Sequence, residues 1–117
     1  MNKISDLPST LSVFPLSNFI FFPNTSTPLN IFEPRYIQMI EESIKSNRMI
    51  GMIQPKRILG PKKPELFKVG CLGKITSFNE TEDGRFVIVL KGVTRFNLIE
   101  EIENRKPYRE FKINFKG

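Results

Sequence analysis

Asp83-Gly84 lies between two runs of alternating apolar and polar residues, and that juncture narrows the folds open to this chain more than any other feature. Glycine takes a positive φ without strain, so Thr81-Glu82-Asp83-Gly84 predicts a tight hairpin turn. On one side Phe67, Val69, Cys71, Ile75 and Phe78 recur along a strand; on the other, Phe86-Val87-Ile88-Val89-Leu90 begins the next. Thr94 to Glu101 and Tyr108 to Phe115 add two more alternating stretches, with Asn104 to Pro107 as the turn between them. From Phe67 onward the pattern is unbroken β.

Upstream the reading is mixed. Leu11 to Leu16 and Pro28 to Phe32 predict short strands or strand edges, because proline lacks the donor that a central ladder position requires. Pro23 to Pro28 reads as a surface loop of turn-forming residues. Glu33-Pro34-Arg35-Tyr36 opens a helix: proline suits the first helical position, and an acidic group there complements the helix dipole. Tyr36, Ile37, Ile40 and Ile44 then recur at spacings of three and four, giving one apolar face that ends near Ser46-Asn47. Met49 to Ile53 predicts a buried strand, and Gln54 to Pro64, with Pro55, Gly60, Pro61 and Pro64, an irregular proline-stiffened loop. The sum is mainly β, a small barrel or rolled sheet of about six strands with one amphipathic helix. Residues 1–10 read as a tail and 11–117 as one domain. The last strand runs almost to Gly117, which predicts further structure beyond it.

Chemistry is constrained by what is missing. The chain has one cysteine, Cys71, and no histidine. Disulfide frameworks, zinc clusters, Cys–His dyads and Ser-His-Asp triads are excluded together, so no catalytic residue, metal site or cofactor is expected. Gly70-Cys71-Leu72-Gly73-Lys74 imitates the end of a phosphate loop, yet Lys68 stands where that motif needs a glycine. Gly70 and Gly73 read instead as bulges or close backbone approaches, and Cys71 as a small core residue. Glu80, Glu82 and Asp83 read as a solvated turn, and Glu100, Glu101 and Glu103 as an exposed strand edge.

Two segments carry the binding expectations. The formal charge is +6, from 18 Lys and Arg against 12 Asp and Glu, and between Lys45 and Lys74 Glu65 is the sole acid. The overall charge admits nucleic acid, acidic membrane or acidic polypeptide as partners, and the basic loop residues Lys56, Arg57, Lys62 and Lys63 are candidates for contact with RNA or DNA and for peptide or partner contact. In Phe19-Ile20-Phe21-Phe22 the three aromatics cannot all face one core by alternation, so Phe19, Phe21 and Phe22 are candidate peptide contacts. No apolar run approaches the ~20 residues of a membrane helix, and the first residues lack a signal-peptide layout. A cytoplasmic chain with no membrane partner is expected.

Several motifs, taken in order, resemble the amino-terminal substrate-recognition domain of Lon ATP-dependent proteases. They are Val13-Phe14-Pro15-Leu16, Phe22-Pro23, Pro28 to Tyr36 with its Phe-Glu-Pro-Arg-Tyr core, Val69 to Ile75, Asp83 to Phe86, and Gly92 to Phe96. The resemblance implies a PUA-like pseudo-barrel with a helix packed on it, followed in complete members by a helical segment that this sequence lacks. Walker motif, sensor residues and Ser-Lys pair are missing as well, so the resemblance implies no enzyme. It makes Glu33, Pro34, Arg35 and Tyr36 a strand-to-helix junction, with Glu33 capping or pairing and Arg35 holding a carboxylate or a carbonyl. It makes Gly92, Arg95 and Phe96 a turn into the next strand, and Gly70, Gly73 and Gly84 structural. Asn30 stands where the family often has histidine. The implied role is a recognition module holding unfolded or tagged polypeptide, or a protease or other partner protein, for proteolysis carried out elsewhere; an RNA-binding PUA-like module is the alternative.

Overall fold

The computed structural model describes residues 7–17, 22–57 and 64–115. Its elements run β1 (Thr10–Pro15), β2 (Ser26–Ile31), α1 (Pro34–Ile44), β3 (Met49–Ile53), β4 (Pro55–Arg57), β5 (Glu65–Leu66), β6 (Val69–Glu80), β7 (Phe86–Ile102) and β8 (Arg109–Asn114). Six strands form one sheet in the order β2-β7-β6-β3-β1-β8, and β8 pairs back onto β7. Five strands thus close into a ring, with β2 attached outside it. Every pair is antiparallel except β1 with β3.

The seventeen residues of β7 explain how one strand reaches both the ring and the outer sheet. At the usual rise they would extend roughly 56 Å if straight, more than the longest extent of the molecule, 41 Å. The strand therefore bends, and its register against β6 shifts between Leu72 and Gly73, where Thr94 and Gly92 are partners and Val93 is left over. Gly92 accordingly lies inside a continuous strand and not at a turn into a new one. An added Cβ there would press into the Phe22 carbonyl, whose carbon lies 2.8 Å away.

The bend divides the interior in two. Leu11 and Val13, Met49 and Ile53, Leu72, Phe96, and Phe111 and Ile113 fill the ring, with Leu66 closing it. Tyr36, Met39 and Ile40 of α1 cover the outer face, meeting Ile50, Met52, Cys71, Ile75, Phe86, Ile88 and Leu90. Strand β3 stands between the two and is buried at all five positions. That is why Met49 to Ile53 reads as a solid apolar run and shows no alternation.

Proline marks the ends and edges as expected, with one change. Pro28 lies in β2, the outer strand, and β2 begins at Ser26, so the loop before it is shorter than its composition suggested. By contrast β1 lies between β3 and β8; Pro15 is tolerated because it falls beyond Val13, the last residue paired with β8. Pro34 occupies the first turn of α1, while Glu33 precedes it in extended conformation without a side-chain cap and accepts, through its carbonyl, the amides of Tyr36 and Ile37.

Three other expectations change. Pro55–Arg57 and Glu65–Leu66 pair as a two-stranded ribbon, so the proline-rich stretch is partly regular. The β run does not start at Phe67, which sits in a break between β5 and β6. Glu100 and Glu101 face β8 across the ladder, bonded to Lys112 at 3.3 Å and Arg109 at 2.8 Å, so they lie on a paired strand and not on an open edge.

Candidate functional site

The break at Phe67 borders an open apolar groove. Where β3 ends and β6 begins, the chain detours through the β4–β5 ribbon and returns with the Phe67 amide donating to the Gln54 carbonyl at 3.0 Å. Beside this detour lies a groove of about 540 Å³, floored by Met52, Ile53, Gly70 and Cys71. Its walls are Phe22, Phe67 and Val69, which expose 51%, 46% and 53% of their surface. Three large exposed apolar side chains on one groove are what a free surface ordinarily avoids. A second hollow, reached past Val69 and Arg95, continues the surface toward Phe115.

Phe22 is placed there by a built turn. Thr25 Oγ1 donates to the Phe22 carbonyl at 2.6 Å and accepts from its amide at 3.2 Å. Asn24, at φ 68°, donates its amide to the Gly92 carbonyl, and the Gly92 amide donates to Thr25, each at 2.8 Å. Gly92 thus presses the turn against β7 and sets the aromatic wall of the groove.

The rim is cationic. Lys68 and Arg95 line the groove, both exposed, and among the described residues neither has a carboxylate at ion-pair distance. Lys56 lies 5.8 Å from the centre of the Phe67 ring and 3.8 Å from Glu65. Cys71 is buried and its thiol is pushed up to about 11, by desolvation first, with Val93 and Arg95 pulling the other way. It stays a neutral thiol at physiological pH, an apolar floor residue in keeping with its sequence reading.

Of the residues singled out from sequence, Phe22, Gly70 and Arg95 line this groove and Lys56 borders it. Phe19, Phe21, Lys62 and Lys63 lie outside the described residues, and Arg57 enters only through its backbone in β4. Gly70 and Gly73 are close approaches as expected: a Cβ would fall 2.6 Å from the Met52 carbonyl oxygen and 2.6 Å from Leu90 Cγ. Glu33, Pro34, Arg35 and Tyr36 form the helix junction away from the groove, where Arg35 Nε donates to Glu33 Oε2 at 3.0 Å and the guanidinium lies over Tyr36. Gly84 holds the hairpin at φ 84°, where Arg85 grips the exposed Asp83 and a hydrogen bond from Thr81, then Arg85, draws the Asp83 carboxyl below its usual range. Sequence reasoning missed Phe67, Lys68 and Val69 as site residues. Phe67 and Val69 share the spacing of a buried strand face, but Phe67 falls in the break before β6 and Val69 is the first residue of that strand, and both are exposed.

A smaller hollow of about 350 Å³ lies on the helix side, walled by Phe14, Pro15, Tyr36 and the exposed Phe32. It carries Glu33 and Arg35, which satisfy each other.

The profile of the ATP-dependent protease La (LON) substrate-binding domain matches residues 10–116. Among curated relatives, the chain is similar to Lon protease of Cytophaga hutchinsonii, 26% identical over 111 residues, and to Lon protease of Parabacteroides distasonis, 29% identical over 116 residues. The match takes in 93% and 97% of this chain but only 14% of each of those proteins. Among solved structures, the fold is similar to a Lon N-terminal domain protein from Xanthomonas campestris, with a TM-score of 0.73 at 22% identity over 92% of this chain and 60% of that one. The N-terminal domain of Mycobacterium avium complex Lon protease aligns with a TM-score of 0.68 at 13% identity, covering 92% of this chain and 55% of that one.

Proposed function

Since the chain belongs to the ATP-dependent protease La (LON) substrate-binding domain family, we propose that it captures unfolded or tagged polypeptide for ATP-dependent proteolysis, and that the groove walled by Phe22, Phe67 and Val69 is where it does so. The observation that carries the reading is the convergence of these three exposed apolar side chains on one open groove. An unfolded segment offers apolar side chains that a folded protein hides, and burying one of them contributes about 1.5–3 kcal/mol before the cost of ordering the segment. Binding through one or two such side chains is weak and reversible, which suits a module that passes its cargo on.

The groove offers shelter and charge but no nucleophile, since the thiol in its floor is protonated and no histidine exists to activate it. The work done here is recognition, with bond cleavage assigned to other domains. An RNA-binding role draws less support: Lys56, the described lysine of the basic loop, already neighbours Glu65 and lies over Phe67.

The test is an NMR titration of the labelled chain with a carboxymethylated, permanently unfolded polypeptide. Amide shifts should concentrate at Phe22, Phe67, Val69 and Gly70, and Phe67→Ser with Val69→Ser should weaken binding at least tenfold. Shifts confined to the helix side, or none, would remove the proposal.

A further inference from the structure

Charge on the rim adds a selectivity that an apolar groove lacks. Lys68 and Arg95 stand on either side of Val69, one before β6 and one on β7, where Arg95 pairs with Cys71 across the ladder. Among the described residues no carboxylate lines the groove, and Glu65, two positions before Phe67, sits against Lys56. Several other cations are matched, Arg109 with Glu101, Lys112 with Glu100, Arg85 with Asp83 and Lys106 with Glu110, whereas Lys74 and Lys91, which face each other on the β6–β7 ladder, have no carboxylate at ion-pair distance among the described residues. Among the described residues Lys68 and Arg95 have no carboxylate at ion-pair distance, and their place on the apolar groove distinguishes them from Lys74 and Lys91.

We infer that the groove selects polypeptide segments in which an aromatic or aliphatic residue is flanked by acidic side chains, the apolar residue seated against Phe22, Phe67 and Val69 and the carboxylates meeting Lys68 and Arg95. The inference rests on the polypeptide-capture reading above and specifies its substrate class. Charge complementarity at an open rim acts mostly on selectivity and association rate, and each exposed pair is worth little by itself, so the preference is a modest multiple. A nucleic acid would also meet the cations, but Lys56 occupies the neighbourhood of the Phe67 ring, where a base would have to stack.

The experiment compares three synthetic decapeptides with the same Phe and Leu anchors, flanked by Glu, Gln or Lys, by fluorescence anisotropy with the full chain. The Glu peptide should bind roughly three- to tenfold tighter than the Gln peptide at low salt, the gap closing in concentrated salt, with the Lys peptide weakest. In the Lys68→Gln/Arg95→Gln variant, with an unchanged thermal transition, the ratio of Glu to Gln affinities should fall to about one. Equal affinities of the Glu and Gln peptides in the wild-type chain overturn the charge selection alone. Absence of binding by all three overturns the capture reading beneath it. A single-stranded oligonucleotide that binds the groove tighter than the Glu peptide replaces polypeptide with nucleic acid as the occupant.

Discussion

Gly92 and Gly84 show that a glycine can be required for opposite reasons. At Gly92 the space is taken: the Phe22–Thr25 turn lies against it, and a Cβ has nowhere to go. At Gly84 the space is open and the backbone is the constraint, with φ at 84° and nothing within 4 Å of a built Cβ. Gly92→Ala should therefore cost about 1–3 kcal/mol and displace Phe22, whereas Gly84→Ala should cost about 1 kcal/mol and leave the groove intact. Urea midpoints at unchanged slope measure both, and only Gly92→Ala should also lower peptide affinity. Burial sets a pH limit at the same scale. Cys71, Tyr36 and Tyr108 all hold their protons more tightly when folded, in each case chiefly through desolvation. The unfolded chain then binds fewer protons at alkaline pH, so stability is full below pH 9 and falls as pH rises toward 11. Cys71→Ala should flatten the first part of that fall in thermal melts taken between pH 8 and 11; an unchanged slope would mean the thiol is not sheltered.

Among the elements, the β4–β5 ribbon is tied to the ring by one side chain of β8. Arg109 of β8 donates through Nη1 to the Pro64 carbonyl at 2.8 Å and, through Nε and Nη2, to both carboxylate oxygens of Glu101 on β7. The guanidinium thereby ties the start of β5 to the ring, and the pair is largely sheltered, Arg109 being 18% exposed. Arg109→Met should cost about 1.5–3 kcal/mol, and a double-mutant cycle with Glu101→Gln should show coupling, with proteolytic nicking moving into the ribbon. Additive losses would mean the two act separately. This tie joins residues far apart in sequence, which is why Gln54 to Pro64 reads as an irregular loop from composition. The hairpin at Gly84 and the helix at Pro34 were legible because each is written in neighbouring residues. Strand β7 was not, since Gly92 has the signature of a turn and its actual role depends on Phe22, some seventy positions earlier. The groove shared that fate: Phe22 stood out as a crowded aromatic, whereas Phe67 and Val69 obey a buried-strand rhythm, yet Phe67 falls in the break before β6 and Val69 at the exposed start of that strand.

Taken whole, the molecule has two interiors that share the strands between them. Strands β3, β6 and β7 each send residues into the ring and under the helix: Ile53 and Ile50, Leu72 and Ile75, Phe96 and Ile88. Emptying one interior frays strands that wall the other, so the two should be lost together. Phe96→Ala, at a position 1% exposed inside the ring, should cost about 3–5 kcal/mol and lower protection under the helix equally. Amide exchange reads this directly: Leu72 and Phe111 in the ring and Ile40 and Ile88 beneath the helix should share one opening free energy, in wild type and variant alike. The groove crosses the same seam, with Ile53 from the ring and Met52 and Cys71 from the helix side in its floor. A peptide seated there should raise the opening energies of both sets by the same amount, set by its concentration relative to its Kd. Two distinct opening energies, or protection gained on one side alone, would show that the halves unfold independently and that the groove belongs to only one of them.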